Sequence, residues 1–257
     1  MSDQIPLKTP HQINLMHQGG KILDKILWRV LDEAKTGTKT KDLDNLAQML
    51  IEKYQAFPSF KTVRDYQFST CITLNEEVVH GLPSHYVLKK GDLLSVDIGI
   101  LYKGLHTDHA WTILVDSQDK QKERFLKAGK IALKKAIQKA SLGKRVGSIS
   151  KAIQDTLQKF NYQPVKSLTG HGIGRKLHEP PAVPCFLPKN TRIEETPQLK
   201  TGMTLAIEVI YSEKDVNICL KGNNHWTIKT KDDSLSALFE HTVAITKKGP
   251  IILTKDI

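Results

Sequence analysis

Four acidic residues interrupt four stretches that otherwise read as apolar strands: Asp97 in "LLSVDIGIL", Asp108 in "HTDHAWTILV", Glu208 in "TLAIEVI" and Glu240 in "ALFEHTVAI". Aspartate is depleted in strands, and carboxylates side by side on a sheet repel one another. In the first stretch, alternation sends Val96, Ile98 and Ile100 to one face and Ser95, Asp97 and Gly99 to the other. A turn near Tyr102-Lys103-Gly104 would bring Asp108 within a residue or two of facing Asp97. Each acid taken singly is compatible with an exposed edge. Together with His171, which stands in "LTGHGIGRKLHEPPAVPCF" (168–186), they form a set of five candidate ligands. Oxygen donors with one imidazole suit one or two divalent ions such as Mn, Fe, Co or Zn, and argue against a thiolate-type structural site. Five ligands for a pair of metals leave positions open for water and substrate, as hydrolysis requires.

The same segment holds a second imidazole, His178, seven positions after His171. Gly172, Gly174 and the Pro180-Pro181 pair exclude a helix there. Alone, the run reads as a surface loop with incidental histidines, so its meaning depends on its partners.

Helical stripes and alternating stretches must position these residues. A helix is expected from about His11 to Ala34, burying Leu23, Leu27, Val30 and Leu31 and ended by Gly37, followed by a stripe of Leu43, Ala47, Ile51 and Tyr54. A second pair covers 121–140 and about 147–160, with Gly143 between them. One offset of 106 carries Gly37 to Gly143, Leu43 to Ile149, Ile51 to Leu157 and Tyr54 to Phe160. Two helical hairpins share some periodicity by chance, but the matching glycine and near-equal lengths favour an internal duplication. Strand patterns follow each helix pair, including "DLLSVDIGILY", "GMTLAIEVIYS", "HWTIKTK" and "SLSALFEHTVAIT". The expected fold class is α+β, with an antiparallel sheet backed by helices. With no long linker, the expectation is a single domain over 1–257, with pseudo-repeats of about 10–116 and 121–254 sharing one core.

Composition narrows the function classes. The hydrophobic share of 39% and charged share of 25% are those of an ordinary globular chain. Cys71, Cys185 and Cys219 are far apart without a CxxC pair, which excludes a zinc finger and argues against a disulfide framework. No apolar run approaches membrane-spanning length, and "MSDQIPLKTPHQ" has no signal-peptide core. The expectation is therefore a cytoplasmic monomer away from membranes. The formal net charge of +11 fits contact with a polyanion such as ribosomal RNA, or a plain lysine-rich solvated surface.

Asp97, Asp108, His171, Glu208 and Glu240 follow the metal-ligand order of the pita-bread metallopeptidases. The surrounding words resemble type I methionine aminopeptidases: "NEEVVHGLP" around His80, "DIGILYKGLHTDHAWT", "GHGIGRKLHEPP", "GMTLAIE" and "WTIKTKDDSLSALFEHT". The resemblance runs from about residue 10 to 254. It implies a pseudo-twofold pair of helix-plus-hairpin halves around a curved antiparallel sheet. It also implies two divalent ions, bridged by Asp108 and Glu240, with Asp97 on one and His171 and Glu208 on the other. A water activated at the metals would attack the first peptide bond, with Glu208 as proton acceptor. His178 would polarise the scissile carbonyl, and His80 would contact the peptide nitrogen. Tyr66, Cys71, Leu177 and Trp226 would line the methionine pocket. Substrates would be nascent-chain N-termini with a small second residue. Departures are Val63 where Tyr is common, Leu177 for Phe, Val209 after Glu208 for Pro, and "VPCF" for Val-Pro-Asn-Tyr. They touch the pocket and leave the five ligands intact.

Two other readings compete. A proline-directed relative shares the ligands but carries an additional N-terminal domain, for which this chain has no room. A non-catalytic module binding ribosome, RNA or protein would have eroded ligands, whereas all five are present here with both histidines.

Overall fold

The computed structural model describes residues 4–214 and 217–255. In the first half, helices α1 (Pro10–Asp32) and α2 (Thr40–Lys53) precede strands β1 (Phe57–Pro58), β2 (Thr70–Leu74), β3 (Glu77–Val79), β4 (Leu93–Tyr102) and β5 (Leu105–Leu114). In the second, α3 (Lys120–Lys139) and α4 (Val146–Lys159) precede β6 (Gln163–Pro164), β7 (Thr169–Gly172), β8 (Glu179–Pro184) and β9 (Thr204–Ser212). The last strands are β10 (Ile218–Leu220), β11 (Ile228–Thr230), β12 (Ser236–Thr246) and β13 (Gly249–Ile252).

Helix α1 starts where its local chemistry directs it. The Thr9 side chain accepts from the Gln12 N–H, the Gln12 side chain accepts from the Thr9 N–H, and Pro10 occupies the first turn, where its missing N–H costs nothing. Asp119 caps α3 in the same way, accepting from the Gln121 and Lys122 N–H groups. The turns between paired helices use Gly37 at φ 96° and Gly143 at φ 80°, backbone that residues with a Cβ rarely adopt.

All sheet pairings are antiparallel. One sheet runs β1-β4-β2 with β5 on β4, a second runs β13-β12-β9-β7-β8 with β6 on β9, and a short third joins β10, β11 and β3. Leu23, Leu27, Leu43 and Ile51 of the first helix pair pack on Val96, Ile98 and Ile100. Ala128, Ala132, Ile149 and Ile153 of the second pack on Ile207, Val209 and Phe239. Trp111 touches both clusters. Each fully buried aliphatic side chain contributes about 1.5–3 kcal/mol, so these faces fix which side of each strand is left for chemistry.

The offset of 106 recurs in the elements. Helices α2 and α4 are 14 residues each, and β1 and β6 are two residues each, ending in Pro58 and Pro164. Pro58 pairs with Ile100 and Pro164 with Tyr211, so Asp97 and Glu208 each lie three residues before the matching partner. Between the halves, β5 and β12 run alongside without a backbone ladder, and two threonine hydroxyls join them instead. Thr112 Oγ1 donates to the Leu238 carbonyl at 2.7 Å and accepts the Leu238 N–H at 3.0 Å. Thr242 Oγ1 donates to the Asp108 carbonyl and accepts the Asp108 N–H, both at 2.8 Å. Both threonines and both partners are related by a shift of 130 positions (242 − 112 and 238 − 108), so the seam is itself pseudo-symmetric.

Two expectations need correction. "HWTIKTK" yields a strand only over Ile228–Thr230. The segment 168–186, read in isolation as a loop, is instead the strand pair β7 and β8. Its prolines are tolerated because β8 is the outermost strand of its sheet. Its glycines are required by close approach: a Cβ on Gly170 would stand 2.4 Å from the Ala206 carbonyl oxygen, and one on Gly172 2.3 Å from that of Pro180. Gly172→Ala should therefore push β8 off β7. The expected cost is about 1–3 kcal/mol, as for overpacking. Thermal melting against the parent checks it, and an unchanged Tm would remove the close-approach argument.

Candidate metal centre and catalytic pocket

The β4–β5 hairpin turns at Lys103 and Gly104, both at positive φ, and sets its register there. Asp97 lies opposite Ala110 and Asp108 opposite Gly99, so both carboxylates share one face, two residues apart along the ladder. In the second half, Glu208 of β9 and Glu240 of β12 face each other directly. Strand β7 lies on the other side of β9, with His171 opposite Ala206. The Nδ1 of His171 lies 2.8 Å from the Gly172 carbonyl, which can only accept, so that nitrogen carries the proton. The free Nε2 lies 3.4 Å from Glu208 Oε1.

Burial of so many carboxyls carries a clear electrostatic signature. Burial first, then the Asp108 and Glu208 charges, hold the Asp97 carboxyl well above the usual carboxylate range. Asp108 is pushed up to about 7, chiefly by burial. Glu208 and Glu240 are raised by burial and then by Asp108. His171 is held down at about 4 by burial and by the neighbouring His178 ring, so its imidazole is neutral and free to ligate. Among the described residues, Asp97 Oδ1 and Glu240 Oε1 are buried with no hydrogen-bond partner. Ligand atoms of Asp108, His171 and Glu240 lie within 4.8 Å of one another. Four acids and a neutral imidazole with orphaned oxygens fit divalent cations, which would supply the missing partner charge.

These groups form part of the lining of a cavity of about 160 Å³. Its apolar wall includes Phe60, Tyr66, Cys71, Leu177 and Trp226. Tyr66 stands edge-on to Trp226, with ring centroids 4.9 Å apart. The Tyr66 hydroxyl donates to the Thr70 carbonyl at 2.8 Å and lies 3.1 Å from Cys71 Sγ. Burial pushes the Cys71 thiol well up, so it is a neutral wall atom and not a nucleophile. His80 and His178 are more exposed. Burial lowers the pKa of both, which keeps them neutral near pH 7. The His171 and His178 rings meet at 4.4 Å between centroids and 75° between planes.

All of the residues singled out from the sequence, the four acids and the His171 imidazole, His80, His178, Tyr66, Cys71, Leu177 and Trp226, line this one cavity. Phe60 and Val79 line it too and were not anticipated, because an apolar residue gives no sign of whether it packs on core or ligand. Thr242 was also missed, although it clamps the backbone of Asp108. Cys185 of the divergent "VPCF" donates its thiol to the Glu208 carbonyl at 3.2 Å, which supports that residue from behind.

Comparison with known proteins agrees with this geometry. A family model described as metallopeptidase family M24 matches residues 14–247. The methionine aminopeptidase of Aquifex aeolicus is 40% identical over 260 residues, covering 98% of this chain and 99% of its own. The crystal structure of methionine aminopeptidase from Thermotoga maritima superposes with a TM-score of 0.93 at 38% identity, covering 98% of this chain and all of that one. A prolidase from Pyrococcus furiosus shares the fold at TM-score 0.78 and 22% identity, with only 66% of its length covered.

Proposed function

The chain belongs to metallopeptidase family M24, and on that footing we propose how its residues divide the work of releasing an N-terminal methionine. Its fold is the pita-bread fold, and it is a metal-dependent hydrolase that removes methionine from peptide N-termini. The recurring offset of 106 supports two pseudo-repeats within a single domain.

In our reading, Asp97, Asp108, His171, Glu208 and Glu240 would together hold two divalent ions. Such ions lower the pKa of an attacking water and polarise the scissile carbonyl. Glu208 takes the water's proton, a task open to it as a carboxylate once cations in the site hold it ionised. The neutral His178 donates a hydrogen bond to the carbonyl oxygen of the bond being cut. His80 meets the peptide nitrogen and assists its departure. The observation that carries the reading is the continuity of an apolar, aromatic wall with the acidic ligand set inside one small cavity. A flexible, polarisable methionine side chain suits a wall of Phe60, Tyr66, Cys71 and Trp226. A cavity of about 160 Å³ has room for one side chain of this size.

We further propose that a small second residue is required, because a bulky one would crowd the histidine-flanked mouth. The physiological substrates would then be nascent-chain N-termini in the cytoplasm, met by a monomer. The net charge of +11 supports a contact with ribosomal RNA. Among the described residues no helix is long and apolar enough to cross a membrane.

The test is a peptide panel read by mass spectrometry after loading with Mn, Fe, Co or Zn. Met-Ala-Ser should be cleaved, with a Met-Trp peptide slower by on the order of 10²-fold, the rate equivalent of a few kcal/mol of steric overlap. Preferential cleavage of Xaa-Pro peptides would replace this reading with the proline-directed one.

A further inference from the structure

A buried ion pair lies outside the chemistry described so far. Lys8, in the segment before α1, is paired with Glu179 across 171 positions of sequence, and each side chain is only 4% exposed. Glu179 is the residue after His178 and the first of β8. Its Oε1 also accepts the Lys176 N–H at 3.1 Å. The turn between β7 and β8 is closed by the Gly174 N–H donating to the Lys176 carbonyl at 3.0 Å, and tied to β5 by the His106 N–H donating to the Gly174 carbonyl at 2.7 Å. A Cβ on Gly174 would stand 2.1 Å from Lys8 Cε, so this turn rests directly on the lysine stem. Lys8 is itself pinned, its N–H donating to the Gly202 carbonyl at 2.7 Å.

A buried ion pair is poor value for stability, because desolvating both charges offsets most of their attraction. Its worth lies in geometry. The Glu179 carboxylate is held on one side by a backbone N–H of the turn and on the other by an ammonium anchored in a different segment. The residue between Lys176 and Glu179 that needs fixing for chemistry is His178. We propose that Lys8 is a positioning residue for peptide hydrolysis: locked to Glu179, it fixes the turn that presents His178 to the scissile carbonyl. This rests on the role given to His178 above.

The experiment is a double-mutant cycle on metal-loaded protein with Met-Ala-Ser as substrate. Lys8→Met keeps the stem and removes the charge. It should lower kcat by about 10-fold or more, with metal content unchanged and KM little altered. His178→Ala alone should lower kcat by about 10²-fold, again with metal retained. In the His178→Ala background, adding Lys8→Met should cost less than about 2-fold, since the group it positions is gone. Glu179→Gln should show the same dependence on background, and it carries the test if Lys8→Met does not fold. Equal fold-losses in both backgrounds, with His178→Ala itself slow, overturn the proposal alone. So does loss of metal from Lys8→Met, or full activity in it. Normal turnover by His178→Ala overturns the reading of His178, and this proposal with it.

Discussion

Stripped of metal by a chelator, the protein should retain its fold and fall below about 1% of its loaded activity, and Mn, Co or Fe should restore it. The argument is electrostatic. Glu208 and Glu240 face each other across a ladder with Asp97 and Asp108 alongside, and Asp97 Oδ1 and Glu240 Oε1 have no hydrogen-bond partner among the described residues. Burial pushes Asp108 up to about 7 and raises its neighbours too, so without cations the cluster keeps protons. The linkage has a definite sign. An acid whose folded pKa is raised binds more protons folded than unfolded, so metal-free stability falls as pH rises from the unfolded value, about 4, through the folded one. Cations reverse this by favouring the ionised form. The gap in Tm between loaded and stripped protein should therefore widen between about pH 6 and pH 8. Buried His109 and His241 are common to both forms and cancel in that difference. Full activity in verified metal-free protein would sink the metal-site reading. A Tm gap that narrows as pH rises would mean that the acids are not its source.

Glu208→Gln should separate stability from chemistry by moving them in opposite directions. The amide keeps the shape and one oxygen but has neither charge nor basicity. It removes a buried carboxyl whose ionisation beside Glu240 would destabilise metal-free protein as pH rises, so metal-free protein should be at least as stable as the parent. Metal binding should weaken, because the amide leaves His171 beside a neutral partner at that corner of the cluster. At saturating metal, kcat should still fall by about 10³-fold, within the range seen for loss of a general base. Steady-state kinetics across a metal titration, with melting curves in parallel, give all three quantities. Near-normal turnover at saturation would remove Glu208 from proton transfer and leave it a ligand only.

The acids were legible because each breaks an apolar period, and no packing argument puts Asp97 or Glu240 in the middle of a strand. The helices were legible for the complementary reason, their stripes being long and punctuated at Gly37 and Gly143. The pocket wall was legible only where motif words carried it. Phe60 sits in a single 3₁₀ turn over Ser59–Thr62, too short for periodicity, and Val79 reads like any strand residue. Strands β7 and β8 were hidden because glycine and proline ordinarily mark breaks. Here the glycines admit a neighbouring backbone and the prolines lie on an edge. The two-residue strands β1 and β6 carry no pattern at all. Nothing local marked Lys8 or Glu179, since their partnership spans most of the chain.

The threonine seam between β5 and β12 has a consequence for the order of assembly. Asp97 and Asp108 lie on one side of it, and His171, Glu208 and Glu240 on the other. Hairpins such as β4 with β5 join neighbours in sequence, whereas the seam joins residues 126 and 134 positions apart and the short β3–β11 ladder also crosses between the halves. Local hairpins form in microseconds, while contacts of such separation wait for loop closure. The β4–β5 hairpin and the strands β7, β9 and β12 can thus reach their registers first, each set holding only a fragment of the ligands. The complete cluster exists once Thr112 and Thr242 have closed on Leu238 and Asp108. Cations present during refolding would then act late, on the docking of these preformed sets, and would slow their separation more than they speed their formation.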